Sequence, residues 1–187
     1  MCHLGYLETV VNISWVIADG YQFDPTINVD AIKNIGPIWG SWSTWRGCGT
    51  DNVICNNKTK ALQLIDSKFN QGCNFYVSDN LYQELHKPVG VKRYGGTFQH
   101  DMHNTDDIVA LHLANIGADI ILMLGFDLTL IDPKNQHYHG HVFSVIKQHP
   151  NTQWVLVDHQ KQLEKIYQDL ANLTCDNLGN VLKLLAQ

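Results

Sequence analysis

The chain has 187 residues, a hydrophobic fraction of 44% and a formal net charge of −5. These values are typical of one globular domain with a core of its own, and they exclude a disordered chain. Because no run of like charge exceeds two residues and no apolar stretch approaches the roughly 18 residues of a membrane helix, the sequence argues against binding to nucleic acid or insertion in a membrane.

Short apolar runs of strand length alternate with segments of helical spacing along the chain. The predicted strands are 14–18, 38–42, 52–55, 73–77, 91–94, 120–124 and 154–157. The predicted helices are 29–35, 58–69, one that starts at Asn104 or Thr105 and ends before Gly117, 142–146, 163–173 and 178–185. This alternation favours a mostly parallel sheet between two layers of helices. The sequence therefore predicts a single α/β domain over 1–187, a Rossmann-like three-layer sandwich.

The cysteines indicate a reducing environment. Five of them are scattered along the chain without CxxC spacing, which indicates neither a disulfide framework nor a zinc ribbon. The first residues lack the basic start and long apolar segment of a secretion signal. We therefore expect reduced thiols and a cytoplasmic protein.

Polar residues follow five of the predicted strands at the point where each strand ends. Aspartate follows four of them and asparagine the fifth: Asp19, Asp79, Asp127, Asp158 and Asn56. In a parallel sheet these residues share the carboxyl edge, where open α/β sheets bind ligands; the alternative is that each aspartate caps the next helix. Glycine nearby allows close approach of the backbone to a ligand, and no GxGxxG or P-loop motif is present. The predicted substrate-binding residues at this edge are Asp19, Gly20, Asn56, Asp79 and Gly125.

Histidines cluster around the predicted strand 120–124. His137, His139 and His141 alternate along one segment, and on an extended chain alternate side chains share a face. Imidazole can act as a general base or as a metal ligand near neutral pH. A polar surface loop is the alternative interpretation. A further alternative is a small metal-dependent hydrolase that also uses the other cluster, His100, Asp101 and His103.

A tryptophan-rich segment, 39–49, carries one of only two arginines in the chain, Arg46. We interpret it as a flexible, glycine-bounded loop in which Arg46 binds a phosphate or carboxylate of the substrate and the indole rings stack on a base or sugar. The alternative is that the tryptophans pack in the core. Arg93 is a weaker candidate of the same type.

The stretch 105–158 resembles a known Rossmann-like group. It contains Ala-Leu-His-Leu-Ala in a helix, then Gly-Ala-Asp, then Ile-Ile-Leu-Met-Leu-Gly-Phe-Asp and a loop bearing His and Tyr. This pattern is similar to that of bacterial family forty-two sialyltransferases, motility accessory factor glycosyltransferases and archaeal hydroxymethylpterin pyrophosphokinase-like proteins. In the sialyltransferases a histidine after this strand is the general base. The resemblance therefore implies that His137, His139 or His141 has this role.

Together these features predict a group transferase that uses a nucleotide-activated donor, with a nucleotide or nucleotide sugar as its ligand. His139 is the first choice for the general base and His137 the second, and Asp127 orients the base or binds a ribose or metal. The sequence identifies no cofactor. The main alternative is a non-catalytic Rossmann-like binding or structural module, in which the segment 39–45 is a protein-contact surface and the chain forms a homo-oligomer.

Overall fold

Seven parallel strands form one sheet in the computed structural model, which describes residues 11–18, 32–67, 72–95, 106–126 and 136–157, without the side chains of 46–48, 136–139 and 157. The strands are β1 (Ile13–Ile17), β2 (Ile38–Ser41), β3 (Asn52–Ile54), β4 (Asn74–Ser78), β5 (Val91–Tyr94), β6 (Ile120–Leu124) and β7 (Gln153–Val157). The helices are α1 (Trp42–Cys48), α2 (Lys58–Asp66), α3 (Asp79–Glu84), α4 (Asp106–Ala114) and α5 (Gln136–Gln148).

The strand order across the sheet is β5-β4-β3-β2-β1-β6-β7. The chain builds outward from β1 to β5, then returns across the sheet to place β6 on the other side of β1. Every neighbouring pair of strands is parallel. The order therefore reverses between β1 and β6.

Each face of the sheet is covered by helices. Alternate residues of one strand enter different cores: Ile54 packs in the cluster that contains the buried residues of α4 and α5, whereas Val53 packs in the cluster with α2 and α3. All five residues of β6 are buried, as expected of a strand covered on both faces. These three layers confirm the predicted α/β sandwich.

Side-chain caps fix where three of the helices begin. Oγ of Ser41 accepts a hydrogen bond from Thr44 N at the start of α1 (3.3 Å). Oδ1 of Asn57 accepts from Lys60 N in α2 (3.0 Å), and Oγ of Ser78 accepts from Leu81 N in α3 (3.3 Å). Each cap lies at or just after a strand end. Its oxygen accepts a hydrogen bond from an amide that the first helical turn leaves without a partner, and the helix therefore begins there.

Two predictions about local structure are wrong. The tryptophan-rich segment is not a glycine-bounded loop: the strand ends at Ser41, whose side chain caps a helix that runs to Cys48 and ends at Gly49, with φ +69°. Trp42 and Trp45 pack against the core on the α2 side, whereas Trp39 packs against the core on the α4 side. The core-packing interpretation of these tryptophans is therefore confirmed.

The second correction concerns the histidines at 137, 139 and 141, which are helical and not extended. Helix α5 begins at Gln136, six residues before the apolar pattern that starts at Val142. His, Tyr and Gly carry no apolar periodicity, so the pattern did not reveal this first part of the helix. Along a helix, position 139 lies about 200° around the axis from position 137, whereas positions 137 and 141 are roughly one turn apart.

Other predicted elements are found close to their expected bounds. The exceptions are α3, which the sequence did not predict, and the terminal helices 163–173 and 178–185, which lie outside the described residues. Only part of the predicted helix 29–35 is described, and residues 32 and 33 are helical in it. Within the described ranges, no helix has the length and apolar character that crossing a bilayer requires.

Candidate functional site

The carboxyl ends of β1 and β6 meet where the strand order reverses. Open α/β sheets bind their ligands in the crevice outside such a reversal. At this point Ala18 N donates a hydrogen bond of 2.9 Å to Leu124 O. Gly125 follows with φ +77°, and a Cβ there would lie 2.8 Å from Ala18 O. Only glycine fits this backbone conformation and this close approach of two strand ends.

The sequence predicted four functional residues at this crevice, namely Asp19, Gly20, Gly125 and Asp127. Asp19, Gly20 and Asp127 lie outside the described residues, so their roles stay predictions. Gly125, in contrast, lies at the strand-order reversal, where the sequence predicted a ligand-binding glycine. Its immediate contact is with the backbone of Ala18, which gives it a structural role as well.

A second cluster of polar side chains lies at the carboxyl ends of β3, β4 and β5. Asn56 donates from both its backbone N (3.1 Å) and its Nδ2 (3.0 Å) to Oδ1 of Asp106. Oδ1 of Asn56 accepts from the hydroxyl of Tyr94 (2.6 Å) and from the backbone N of Ser78 (3.3 Å). One amide therefore joins three strand ends to the first residue of α4.

These bonds define what Asn56 can do. Its Oδ1 already has two protein donors and its amide nitrogen one acceptor. Because an amide group offers two donors and one oxygen with two lone pairs, little hydrogen-bonding capacity is left for a ligand. The contacts indicate that Asn56 holds together the carboxyl ends of β3, β4 and β5. The sequence predicted that Asn56 binds substrate and did not predict this structural role.

Asp79 belongs to the same part of the edge. It is the first residue of α3, and the cap of that helix is Ser78, so the capping alternative applies to its neighbour. Oδ1 of Asp79 lies 3.7 Å from Nη1 of Arg93, and both side chains are about half exposed. A Cβ at Gly95 would lie 2.6 Å from Oδ2 of Asp79. Such a partly exposed ion pair contributes little stability, although Oδ1 of Asp79 is itself a buried atom.

The sheet keeps these two clusters apart. Neighbouring strands are about 4.8 Å apart, and β4 is three places from β1 in the strand order. The strand end that carries Asp79 is therefore roughly 14 Å from the end of β1. Asp79 consequently lies away from the crevice, although it too follows a carboxyl end.

Burial and the charge of Asp106 control protonation in the Asn56 cluster. Burial, with a smaller contribution from Asp106, raises the pKa of the Cys55 thiol to about 11. Burial also raises the pKa of Tyr94, although the bond to Asn56 acts in the opposite direction. Both groups are neutral at neutral pH, so Cys55 is not a thiolate nucleophile and Tyr94 keeps the proton that it donates to Asn56.

Histidines of α5 lie toward the same edge of the sheet as the crevice. Because α5 joins β6 to β7 and these strands are parallel, the helix runs back across the sheet and its first turn is near the carboxyl edge. The side chains of His137 and His139, the candidate bases, lie outside the described residues, as does that of Arg46 in α1.

The metal-dependent alternative also stays a prediction. His100, Asp101 and His103 lie outside the described ranges. In the part of the chain that the structure describes, no three His, Cys, Asp or Glu side chains converge as metal ligands.

Sequence reasoning missed the partners of Asn56. Tyr94 ends the predicted strand 91–94 and follows the candidate Arg93, and Asp106 lies in the acidic first turn of a predicted helix. The acidic first turn was a signal for a helix start, but nothing local indicates that its carboxylate reaches the end of β3, 50 residues earlier.

Comparison of the chain with models of protein families, with curated proteins and with solved structures gives no match. The resemblance to the sialyltransferase-like group therefore stays a prediction.

Proposed function

We propose that the chain is a group transferase that binds a nucleotide-activated donor, such as a nucleotide sugar, outside the carboxyl ends of β1 and β6. The observation that carries the proposal is the strand-order reversal at Ala18 and Gly125. Doubly wound sheets bind nucleotides at this kind of crevice. Glycine at the end of β6 permits the close approach of the two strand ends that border the crevice, because a Cβ at Gly125 would lie 2.8 Å from Ala18 O.

A histidine of α5 is the proposed general base. His139 removes the proton of an acceptor hydroxyl while the hydroxyl oxygen attacks the transferred group and the bond to the nucleotide leaving group breaks. His137 is the second choice, and Asp127 orients the base. Since positions 137 and 139 lie on different faces of the helix, the proposal uses one imidazole and not a pair.

The Asn56 cluster supports this arrangement as a scaffold. Helix α4 packs across β1, β2 and β3, and its first residue, Asp106, is fixed by two bonds from Asn56. A rigid wall beside the crevice favours precise placement of reactants, which provides much of the rate enhancement in group transfer. The phosphate of the donor would be bound by Arg46 in this proposal.

Donor binding is tested by thermal denaturation with nucleoside mono- and diphosphates and nucleotide sugars, each with and without Mg²⁺. A donor that binds only the folded state raises the apparent Tm. Arg46→Gln should reduce this rise, because Arg46 binds the donor phosphate in this proposal, and Lys87→Gln, at an exposed position between α3 and β5, should leave it unchanged. If no nucleotide of the panel raises Tm, the chain is a non-catalytic module and the proposal fails.

The base is tested by nucleotide release from a donor that binds. His139→Ala should lower turnover by roughly 10²- to 10⁴-fold and keep the donor-dependent rise in Tm. His137→Ala is the matched comparison, because it removes an imidazole from the same helical turn. Full turnover in both variants would exclude a histidine base at these positions.

A further inference from the structure

Two imidazoles meet at the amino edge of the sheet, at the opposite end from the crevice. His112 lies in the last turn of α4, and His149 directly follows α5. Nδ1 of His112 and Nε2 of His149 are 3.3 Å apart. The ring centroids are 5.5 Å apart, and the planes are steeply inclined at 76°. The two rings therefore direct nitrogen atoms toward each other and are not stacked.

This separation suits a metal ion as well as a hydrogen bond. Zn²⁺ binds histidine nitrogen at about 2.0–2.1 Å. An ion at that distance from two nitrogens 3.3 Å apart makes an N–metal–N angle of about 107°, close to the tetrahedral angle. We propose that His112 and His149 form a binding site for a divalent transition-metal ion of the Zn²⁺ class, with water as the remaining ligands.

The contacts behind His149 support a ligating ring. Its Nδ1 lies 2.8 Å from the side-chain amide of Asn115, whose other end is hydrogen-bonded to the hydroxyl of Thr152. A metal on Nε2 requires a proton on Nδ1, and this proton needs an acceptor. A half-turn of the Asn115 amide presents its oxygen to Nδ1 and its nitrogen to Thr152, so both ends stay paired. Outer contacts of this kind are typical of metal-bound histidines.

The backbone around His149 is already fixed. Its N–H donates to Ile146 O (3.2 Å), and its carbonyl accepts from Thr152 N (3.2 Å) and from Nε1 of Trp154 (3.3 Å). The pair also lies at the ends of two helices. Because each helix carries partial negative charge at its C-terminus, this position favours a cation.

The residues also restrict the kind of ion. Both imidazoles are half-buried, which leaves room for water to complete the coordination. No third His, Cys, Asp or Glu of the described ranges joins them, so hard ions such as Mg²⁺ and Ca²⁺, which prefer oxygen ligands, are disfavoured. Imidazole nitrogens suit Zn²⁺, Ni²⁺ and Cu²⁺. This site is independent of the proposed transferase function.

Histidine ring nitrogens of the full chain are measured by long-range ¹H–¹⁵N NMR during titration with ZnCl₂. The chain has 10 histidines, and this measurement reads each ring separately. Equimolar Zn²⁺ should shift Nδ1 of His112 and Nε2 of His149 to metal-bound values, and Mg²⁺ should shift neither. If both nitrogens keep their metal-free values at equimolar Zn²⁺, the proposal is wrong.

Calorimetric titration of variants gives a second readout. His112→Ala and His149→Ala should each reduce the number of bound Zn²⁺ ions by one. His86→Asn is the matched control: His86 is exposed, with φ +59°, a conformation that asparagine tolerates, and this variant should bind as many ions as the wild type. Unchanged stoichiometry in both alanine variants would overturn the site. The NMR experiment needs no variant and is unaffected if a variant fails to fold.

Discussion

The hydroxyl of Tyr94 donates a hydrogen bond of 2.6 Å to Oδ1 of Asn56, which ties the end of β5 to the residue that follows β3. The strand between them takes part too, because Ser78 N donates to the same oxygen. The carboxylate of Asp106 completes the connection to α4. A small set of polar atoms thus fixes three strand ends relative to a helix, and it gives the carboxyl edge a defined shape beside the proposed crevice.

The first prediction is a coupling between Asn56 and Tyr94. Asn56→Ala removes the acceptor of Tyr94 and Ser78 and one of the two donors to Asp106, so we expect it to lower the free energy of unfolding by about 3 kcal/mol. Tyr94→Phe removes one bond and should lower it by about 1 kcal/mol. The double variant should lose less than the sum, because the Tyr94 hydroxyl cannot lose its acceptor when it is already absent. Urea denaturation measures all three values.

Tyr82→Phe serves as the control for this cycle. Tyr82 packs on the opposite face of the sheet, and its combination with Asn56→Ala should therefore be additive. Strict additivity of Asn56→Ala with Tyr94→Phe would contradict the coupling.

The second prediction concerns alkaline pH. Burial raises the pKa of Cys55 from 9.0 to about 11, and burial together with Asp51 raises that of Cys73 to about 12. A group whose pKa is higher in the folded than in the unfolded state adds stability below its unfolded pKa and loses it as the pH rises through the folded value. The free energy of unfolding should therefore fall from about pH 9 to pH 11.

Cys55→Ala should make this fall less steep, whatever it does to stability at pH 7. Denaturation at several pH values between 7 and 11 compares the slopes. Cys73→Ala is the parallel case, with its effect extending to higher pH. The same slope in Cys55→Ala and the wild type would show that the thiol does not contribute.

The third prediction compares two glycines with similar backbones. Gly125 (φ +77°) and Gly117 (φ +87°) both adopt a conformation that disfavours a side chain, but only at Gly125 would a Cβ meet another atom, Ala18 O at 2.8 Å. Gly117→Ala should destabilise the fold by about 1 kcal/mol. Gly125→Ala should destabilise it clearly more, because the added methyl also pushes β1 and β6 apart. Equal melting temperatures for the two variants would argue against the close approach.

The fourth prediction concerns Thr44, which joins α1 to β1. Its buried hydroxyl donates to Ile17 O (3.2 Å) and lies 3.2 Å from Oγ of Ser41. Thr44→Val keeps the shape but removes the donor, and it should lower the free energy of unfolding by roughly 1–2 kcal/mol. Thr44→Ser keeps the hydroxyl and should retain more stability than Thr44→Val. The reverse order, measured by chemical denaturation, would show that the methyl matters more than the bond.

Local pattern was enough to predict the class of the fold. The apolar run at 120–124 has the composition expected of a strand covered on both faces, and it is buried throughout. The helix predicted to end before Gly117 ends at Ala114, and Gly117 has φ +87°. Such features depend on neighbours in the chain, so residue type and spacing are enough to recognise them.

The sequence by itself therefore determined the parallel α/β sandwich and the fact that polar residues follow its strands. Only the tertiary structure decided which strand ends are neighbours. The bond between Asn56 and Tyr94 spans 38 residues, and the strand order places Asp79 far from the crevice. Contacts of this kind depend on how the strands assemble, because any pairing that buries the same apolar runs would satisfy the local pattern equally well.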